Sequence, residues 1–180
     1  MSNSASLPEA VEKRLVDILG RKHVLIGDAV PEDAFGDECL SAQPPRPLAL
    51  ARPASTEDAG AVLALASEEQ IPVTARGAGT GLYGGCVPRA DGLVVCFSRM
   101  KRVLEIDRDN FVAVVEPGVQ LDELEAELLP LGLMYPVRPG ENSASLGGHV
   151  STHAGGIRAV QYGPPRPHRP GHQAAPPPRG

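Results

Sequence analysis

Apolar positions along the chain follow two spacings, one typical of helices and one typical of strands. Helical spacing, with apolar residues three to four apart, predicts helices over 8–20, about 56–69 and 121–131. Short apolar runs predict strands at 23–26, 47–52, 71–75, 92–97, 103–106 and 111–115, with extended chain over 133–137. Ser55 or Thr56 is a good N-cap for the second helix. Residues 27–46 and 139–156 have neither spacing and are predicted to be loops. Strands alternating with helices predict an α/β or α+β fold.

Composition narrows the class of protein. With 42% hydrophobic residues among 180, the chain can bury a core and form one domain with a short tail. No run of about 18 apolar residues predicts a membrane-spanning helix. The N-terminus lacks the pattern of a secretory signal. The odd set Cys39, Cys86 and Cys96 contains no CxxC, which argues against a disulfide scaffold or zinc ribbon. We therefore expect a cytoplasmic chain. A net charge of −5 and 3% aromatic residues argue against a nucleic-acid partner.

The last 17 residues, 164–180, differ in composition from the rest. They hold seven of the 19 prolines, three arginines and no acidic residue. One interpretation is a flexible proline-rich linker or ligand segment. The interpretation we favour is a frameshift, because codons for residues 170–176 can be chosen that read Leu-Gly-Ile-Lys-Leu-Leu one base later. On that interpretation, 164–180 is a disordered or frameshift-derived tail without a functional role.

A first glycine segment, residues 76–85, follows the predicted strand 71–75. Its sequence is Arg-Gly-Ala-Gly-Thr-Gly-Leu-Tyr-Gly-Gly. Such a turn can direct several backbone N–H groups at one anion, usually a phosphate. A Walker loop is excluded because the segment has no lysine. Residues 79–84 match GxGxxG, but Pro88 and the strand that follows leave no room for a Rossmann helix. The segment therefore predicts a phosphate-binding loop made of backbone, with a tight structural turn as the alternative.

A second glycine segment, residues 139–156, is long and rich in small residues. Small residues permit a close backbone approach to a flat ligand or a diphosphate. His149 and His153 have the spacing of zinc ligands on a helix, but Val150 stands where HExxH has its acid and no third ligand is evident. The sequence therefore predicts no metal site. We expect loop histidines that hydrogen-bond a cofactor or the backbone.

Together the two segments resemble the FAD-linked oxidases of the vanillyl-alcohol oxidase type, which have the p-cresol methylhydroxylase-type FAD-binding domain. The resemblance covers roughly residues 45–163 and is strongest to the glycolate oxidase large subunit and D-lactate dehydrogenase branch. Its matching stretches are 72–88, 116–119, 145–156 and 158–163. It implies an α+β fold in which two α/β subdomains grip FAD between them. The implied division is a lead-in over 1–43 and an FAD-binding domain over 44–163 that is incomplete at its C-terminus, before the tail.

The resemblance also implies which residues bind FAD. For the diphosphate these are Arg76, Gly77, Ala78, Gly79, Thr80, Gly81, Gly84 and Gly85. Along the diphosphate, ribityl chain and flavin they are Pro139, Gly140, Ser145, Gly147, Gly148, Thr152, His153, Ala154, Gly155 and Gly156. The family usually has asparagine at the positions of His149 and His153. Some relatives link the flavin to a histidine of the first loop, and none occurs here between Arg76 and Pro88, so we expect non-covalent FAD.

The implied activity is hydride transfer from the α-carbon of a 2-hydroxy acid to flavin N5, which yields a 2-oxo acid for an unknown electron acceptor. In the family, substrate and base residues come from a later cap domain. We therefore assign no catalytic residue and expect this chain alone to be inactive. Three alternatives remain open: a flavin-binding module that needs a partner subunit, a non-catalytic fragment, and a UDP-N-acetylenolpyruvoylglucosamine reductase-like flavoenzyme. Residues 152–156 favour the hydroxy-acid branch over the last of these.

Overall fold

The structure is a computed structural model that describes residues 6–40, 43–137 and 140–156. The chain forms two compact units, and the boundary between them falls at Arg99 and Met100. The first unit contains a mixed sheet with helices, and the second contains an antiparallel strand pair with helices. This confirms the α+β class. No helix in the described ranges combines the length and hydrophobicity needed to span a bilayer.

The first unit is a four-stranded sheet with two helices. Its strands are β1 (Val24–Ile26), β2 (Ala49–Ala51), β3 (Val73–Arg76) and β4 (Leu93–Cys96). They have the spatial order β1-β2-β4-β3, with β1 antiparallel to β2 and the other neighbours parallel. The helices are α1 (Glu9–Leu19), before β1, and α2 (Thr56–Glu68), between β2 and β3. Three short 3₁₀ helices cover Arg21–His23, Gly27–Ala29 and Glu32–Phe35.

Both faces of the central strands are buried. Alternate residues of β2 and β4 pack on opposite sides, as the two-residue period of a strand requires. On one side, Ala49, Ala51, Leu93 and Val95 join the apolar faces of α1 and α2. On the other side, Leu50, Val94 and Cys96 pack against Val30 and Ala34 of the lead-in. The lead-in is therefore part of the first unit's core. The predicted cap on α2 is Ser55, whose hydroxyl accepts the Asp58 N–H at 3.1 Å.

The second unit packs helices against a strand pair. β5 (Val103–Asp107) and β6 (Val112–Val115) are antiparallel, with a register shift between Val103 and Glu105. α3 (Leu121–Leu128) begins with a capping box formed by Gln120 and Glu123. α4 spans Leu146–Thr152. Val119, Leu124, Leu128 and Leu146 form a buried apolar cluster in this unit.

The predicted elements are present with three differences. The third helix ends at Leu128 and continues as a 3₁₀ turn over Leu129–Leu131, because Pro130 lacks the N–H that an α-helix needs. The predicted loop 27–46 contains two short 3₁₀ helices, Gly27–Ala29 and Glu32–Phe35. The loop prediction for 139–156 was wrong at its centre, where α4 lies. There the Ser145 hydroxyl caps the helix and Leu146 is buried in the core, which together outweigh the low helix propensity of two glycines.

Candidate cofactor-binding site

The first glycine segment begins at the carboxyl end of β3. Arg76 is the last residue of β3, and no helix occurs between it and β4 in the described chain. Gly79 and Gly84 have φ angles of +82° and +76°, which only glycine adopts readily. The predicted exclusion of a Rossmann helix is thus confirmed. The segment after Arg76 is a loop that does not lead into a helix, as predicted.

Arg76 points into the protein from the start of this loop. Only 9% of the residue is exposed, and its guanidinium donates a hydrogen bond to the carbonyl of Gly36. A Cβ atom on Gly79 would collide with the same guanidinium. Gly79 is therefore needed both for its φ angle and for the space that Arg76 occupies. The Arg76 guanidinium is thus bonded to the protein backbone, and it places a positive charge beside Gly79 of the loop.

Asp37 is a residue of this site that the sequence analysis missed. Its carboxylate accepts the N–H of Cys86, directly after the segment, and the N–H of Cys39, both at 3.3 Å. A Cβ atom on Gly81 would lie 3.1 Å from Oδ2 of Asp37. No motif marks Asp37, because its contact to the glycine segment joins residues 49 apart in the chain.

Gly85 differs from the other glycines of the loop. A Cβ atom there would have no described protein atom within 4 Å, and its φ angle is not positive. Neither packing nor backbone conformation explains a glycine at this position. Open space above a backbone without side chain is what the close approach of a diphosphate requires. The backbone at Gly85 therefore has the space that an anionic ligand needs.

The second glycine segment uses glycine in two ways. Gly147 donates its N–H to the Pro117 carbonyl at 2.9 Å, and a Cβ atom on it would lie 2.8 Å from Pro117. Its lack of a side chain is explained by this contact. Around Gly140 and Gly155, by contrast, a Cβ atom would meet no described atom within 4 Å. With respect to the described residues, these two positions resemble Gly85. Pro139, the other residue assigned at this end, lies outside the described residues.

His149 is buried in α4, so the expectation of a loop histidine was wrong. Only 2% of the residue is exposed, and neither ring nitrogen has a hydrogen-bond partner within the described structure. Its ring stacks on Tyr135 with 6.2 Å between centroids. Burial lowers the pKa of His149 and raises the pKa of the Tyr135 hydroxyl. The imidazole is thus held in its neutral form, with a donor and an acceptor that a ligand could satisfy.

His153 ends α4 on the solvent-exposed side. It has a φ angle of +55°, and its N–H donates to the carbonyl of His149. Asparagine and histidine are both enriched in this left-handed conformation. The difference between His153 and the asparagine usual at this position thus has a backbone explanation. Nearby, the Thr152 hydroxyl donates to the Gly148 carbonyl at 2.9 Å.

The chain belongs to a family of FAD-binding domains. The model of this family, described as "FAD binding domain", matches residues 47–168. The match covers both glycine segments, and FAD is the cofactor of the family. It bears out the cofactor that the two segments predicted.

Among the curated relatives is an uncharacterized FAD-linked oxidoreductase of Mycobacterium tuberculosis. It is 50% identical over 150 residues, which cover 83% of this chain and 33% of that protein. D-lactate dehydrogenase of Anaerostipes hadrus is 42% identical over 156 residues, 87% of this chain and 32% of the enzyme. Glycolate oxidase subunit GlcD of Bacillus subtilis is 37% identical over 118 residues, 65% of this chain and 25% of that subunit. The chain spans at most about a third of the length of these relatives.

Solved structures show the same fold. 4-Ethylphenol oxidase from Gulosibacter chungangensis matches with a TM-score of 0.72 and 28% identity, over 82% of this chain and 29% of that chain. p-Cresol methylhydroxylase matches with a TM-score of 0.65 and 18% identity, over 84% of this chain and 28% of that chain. The predicted p-cresol methylhydroxylase-type FAD-binding fold is thereby confirmed.

Proposed function

We propose that this chain binds FAD non-covalently, as the flavin-binding part of an oxidoreductase that converts a 2-hydroxy acid to the 2-oxo acid. The observation that carries the substrate class is the 42% identity to a D-lactate dehydrogenase over 87% of this chain. The similarity to glycolate oxidase subunit GlcD supports the same class, since both names denote enzymes of small 2-hydroxy acids. Bound FAD would accept the hydride that leaves the α-carbon of the substrate.

The first glycine segment is proposed to bind the FAD diphosphate. Its backbone N–H groups would donate to the phosphate oxygens from the open side at Gly85. The charge of Arg76 beneath the loop would favour the anion without a direct hydrogen bond. The full assigned set is Arg76, Gly77, Ala78, Gly79, Thr80, Gly81, Gly84 and Gly85.

The second glycine segment is proposed to bind the diphosphate, ribityl and flavin parts of FAD. Gly140 and Gly155 leave open backbone for a flat ligand. Besides these two, the assigned residues are Pro139, Ser145, Gly147, Gly148, Thr152, His153, Ala154 and Gly156. His149 is added to this set because its ring nitrogens are buried without a partner.

A flavin titration tests the cofactor assignment. FAD added to the purified 180-residue chain should lose fluorescence with a stoichiometry of one, and acid precipitation should release all of the flavin into the supernatant. FMN is the matched control, since it lacks the diphosphate bridge and should bind more weakly. Equal affinity for FMN and FAD would overturn the diphosphate assignment. Flavin that stays with the precipitate would overturn the non-covalent assignment.

The substrate class needs a second experiment, because the chain spans only a third of its relatives. In the FAD-loaded chain, dithionite should reduce the flavin, whereas D-lactate and glycolate should not. Residues 1–156 placed in D-lactate dehydrogenase of A. hadrus, in exchange for the equivalent segment, should support flavin reduction by D-lactate, with the rest of that enzyme supplying its substrate residues. A chimera that binds FAD but is not reduced by D-lactate would overturn the assignment of this FAD-binding part to hydroxy-acid oxidation and favour a flavin-binding module.

A further inference from the structure

Asp37 and Arg76 lie outside the open face of the first glycine segment and connect that segment to residues 32–39 of the lead-in. From these contacts we infer that Asp37 and Arg76 are positioning residues, which hold the first glycine segment in the conformation that binds the FAD diphosphate. The inference rests on the proposed function of this segment. It also assigns a role to lead-in residues that lie outside the family match at 47–168.

The lead-in is anchored well enough to serve as a support. Its 3₁₀ helix, Glu32–Phe35, buries Ala34 against the face of the sheet that carries Leu50 and Val94. The ring of Phe35 lies under the guanidinium of Arg46, with 4.8 Å from Cζ to the ring centroid. Gly36 and Asp37 follow this anchored turn directly. Both residues are therefore attached to a turn that core packing holds in place.

The two ends of the glycine segment are bound to these two consecutive residues. At the start, the Arg76 guanidinium donates to the Gly36 carbonyl. Just past the end, the N–H of Cys86 donates to Oδ2 of Asp37 at 3.3 Å. Fixing both ends of a glycine-rich loop removes conformational freedom that ligand binding would otherwise have to remove. The contacts thus preorganise the segment before FAD arrives.

The middle of the segment is shaped around the same two side chains. Gly79 leaves the space that the Arg76 guanidinium occupies. Gly81 leaves the space beside Oδ2 of Asp37, which a Cβ atom would approach to 3.1 Å. Two glycines of the segment therefore accommodate these supports, whereas Gly85 stays open for the ligand.

Asp37 places a negative charge beside a segment that is assigned to an anion. The direction in which FAD affinity changes when this charge is removed therefore tests the inference. If Asp37 acted only through its charge, its removal would strengthen FAD binding. If it positions the loop, its removal weakens FAD binding. Asp37→Asn removes the charge and keeps the shape. Glu38→Gln removes the same charge one residue away, from an exposed side chain.

The first measurement is FAD affinity of the full chain. Asp37→Asn should raise the Kd about tenfold or more, in line with losing a hydrogen bond to a charged acceptor. Glu38→Gln should change it less than twofold. Arg76→Lys, which keeps the charge without the planar donor fork, should also weaken binding. An unchanged or lower Kd for Asp37→Asn would overturn the inference.

The second measurement needs no FAD. Hydrogen exchange at the Cys86 amide should be faster in Asp37→Asn than in Glu38→Gln. Burial raises the pKa of the Cys86 thiol, Arg76 lowers it and Asp37 raises it further. Alkylation of Cys86 should therefore reach its midpoint at lower pH in Asp37→Asn and at higher pH in Arg76→Gln. General loosening of the fold would instead lower the midpoint in both variants, because it exposes the thiol. Unchanged exchange and midpoint would overturn the inference. A wild-type chain that binds no FAD while both readouts respond would instead overturn the proposed function and leave the contact to the loop in place.

Discussion

The two glycine segments have similar compositions and are ordered by different means. Residues 76–85 form a loop in which Gly79 and Gly84 adopt left-handed conformations. Residues 140–156 contain a short helix, α4, in which Gly147 sits directly on Pro117. In the first segment, glycine permits left-handed backbone and leaves space for the Arg76 and Asp37 side chains. In the second segment, Gly147 permits close packing against the Pro117 backbone. A glycine-rich sequence therefore indicates where the backbone has no side chains, but it does not indicate whether a ligand, a side chain or another backbone segment occupies that space.

Both segments nevertheless depend on a carboxylate from outside. Asp37 accepts the N–H of Cys86 beside the first segment. Glu116, only 6% exposed, accepts the backbone N–H of Arg102 at 2.8 Å and the Arg102 guanidinium at 2.6 and 2.9 Å. Glu116 is followed by Pro117, the residue on which Gly147 rests. In each unit a half-buried or buried acid thus fixes the backbone that supports a glycine segment.

The largest effect is expected at Gly79. Gly79→Val places a β-branched side chain at φ +82° and against the Arg76 guanidinium, so it should abolish FAD binding and lower the free energy of unfolding by about 3 kcal/mol or more. Gly85→Val is the matched variant, since its side chain has open space. It should abolish FAD binding with normal stability. Denaturant unfolding and flavin titration separate the two, and tight FAD binding by Gly85→Val would remove Gly85 from the site.

A smaller effect is expected where glycine serves packing. Gly147→Ala puts a methyl group 2.8 Å from Pro117 and should lower the free energy of unfolding by about 1–3 kcal/mol. Gly155→Ala, with no described atom within 4 Å of the added carbon, should leave stability unchanged. Thermal unfolding of both variants measures the difference. Equal stability of the two would show that the Pro117 contact does not constrain α4.

The carboxylate beside the second segment can be tested by acid. Arg102 lowers the pKa of Glu116 below its ordinary value of 4.5. A depressed pKa contributes stability above that value, and the contribution is lost as pH falls below it. Glu116→Gln should cost about 1–3 kcal/mol at neutral pH and flatten the acid limb of the stability curve. Asp91→Asn breaks an exposed ion pair with Arg89 and should lower the free energy of unfolding much less than Glu116→Gln does. Equal costs would mean that Glu116 is not a support.

The smallest effect is expected at His149. Burial lowers its pKa below the ordinary 6.5, so the unfolded chain binds its proton first and stability falls as pH drops below that value. His149→Asn should reduce this fall, measured by denaturant unfolding across a pH series. It should not abolish it, because burial also lowers the pKa of His23. A pH dependence identical to wild type in His149→Asn would contradict the burial of this ring.

Much of the fold could be predicted because its signals are local. The spacing of Val11, Leu15 and Leu19 encodes α1, and the Ser55 cap with its apolar stripe encodes α2. The absence of a Rossmann helix after the first glycine segment could be predicted, since Pro88 and the strand after it are close in sequence. α4 could not be predicted, because two glycines lower its helix propensity and its anchor, Leu146, is buried by residues distant in sequence.

The sequence by itself determined the class of protein: an α+β FAD-binding chain with two segments of bare backbone. Only the tertiary structure decided which side chains support that backbone. The inward turn of Arg76 to Gly36 joins residues 40 apart, and the contact of Asp37 with Cys86 joins residues 49 apart. Local patterns act through neighbours within a few residues of the chain, whereas such supports depend on how the elements pack. A single sequence carries no spacing that marks them.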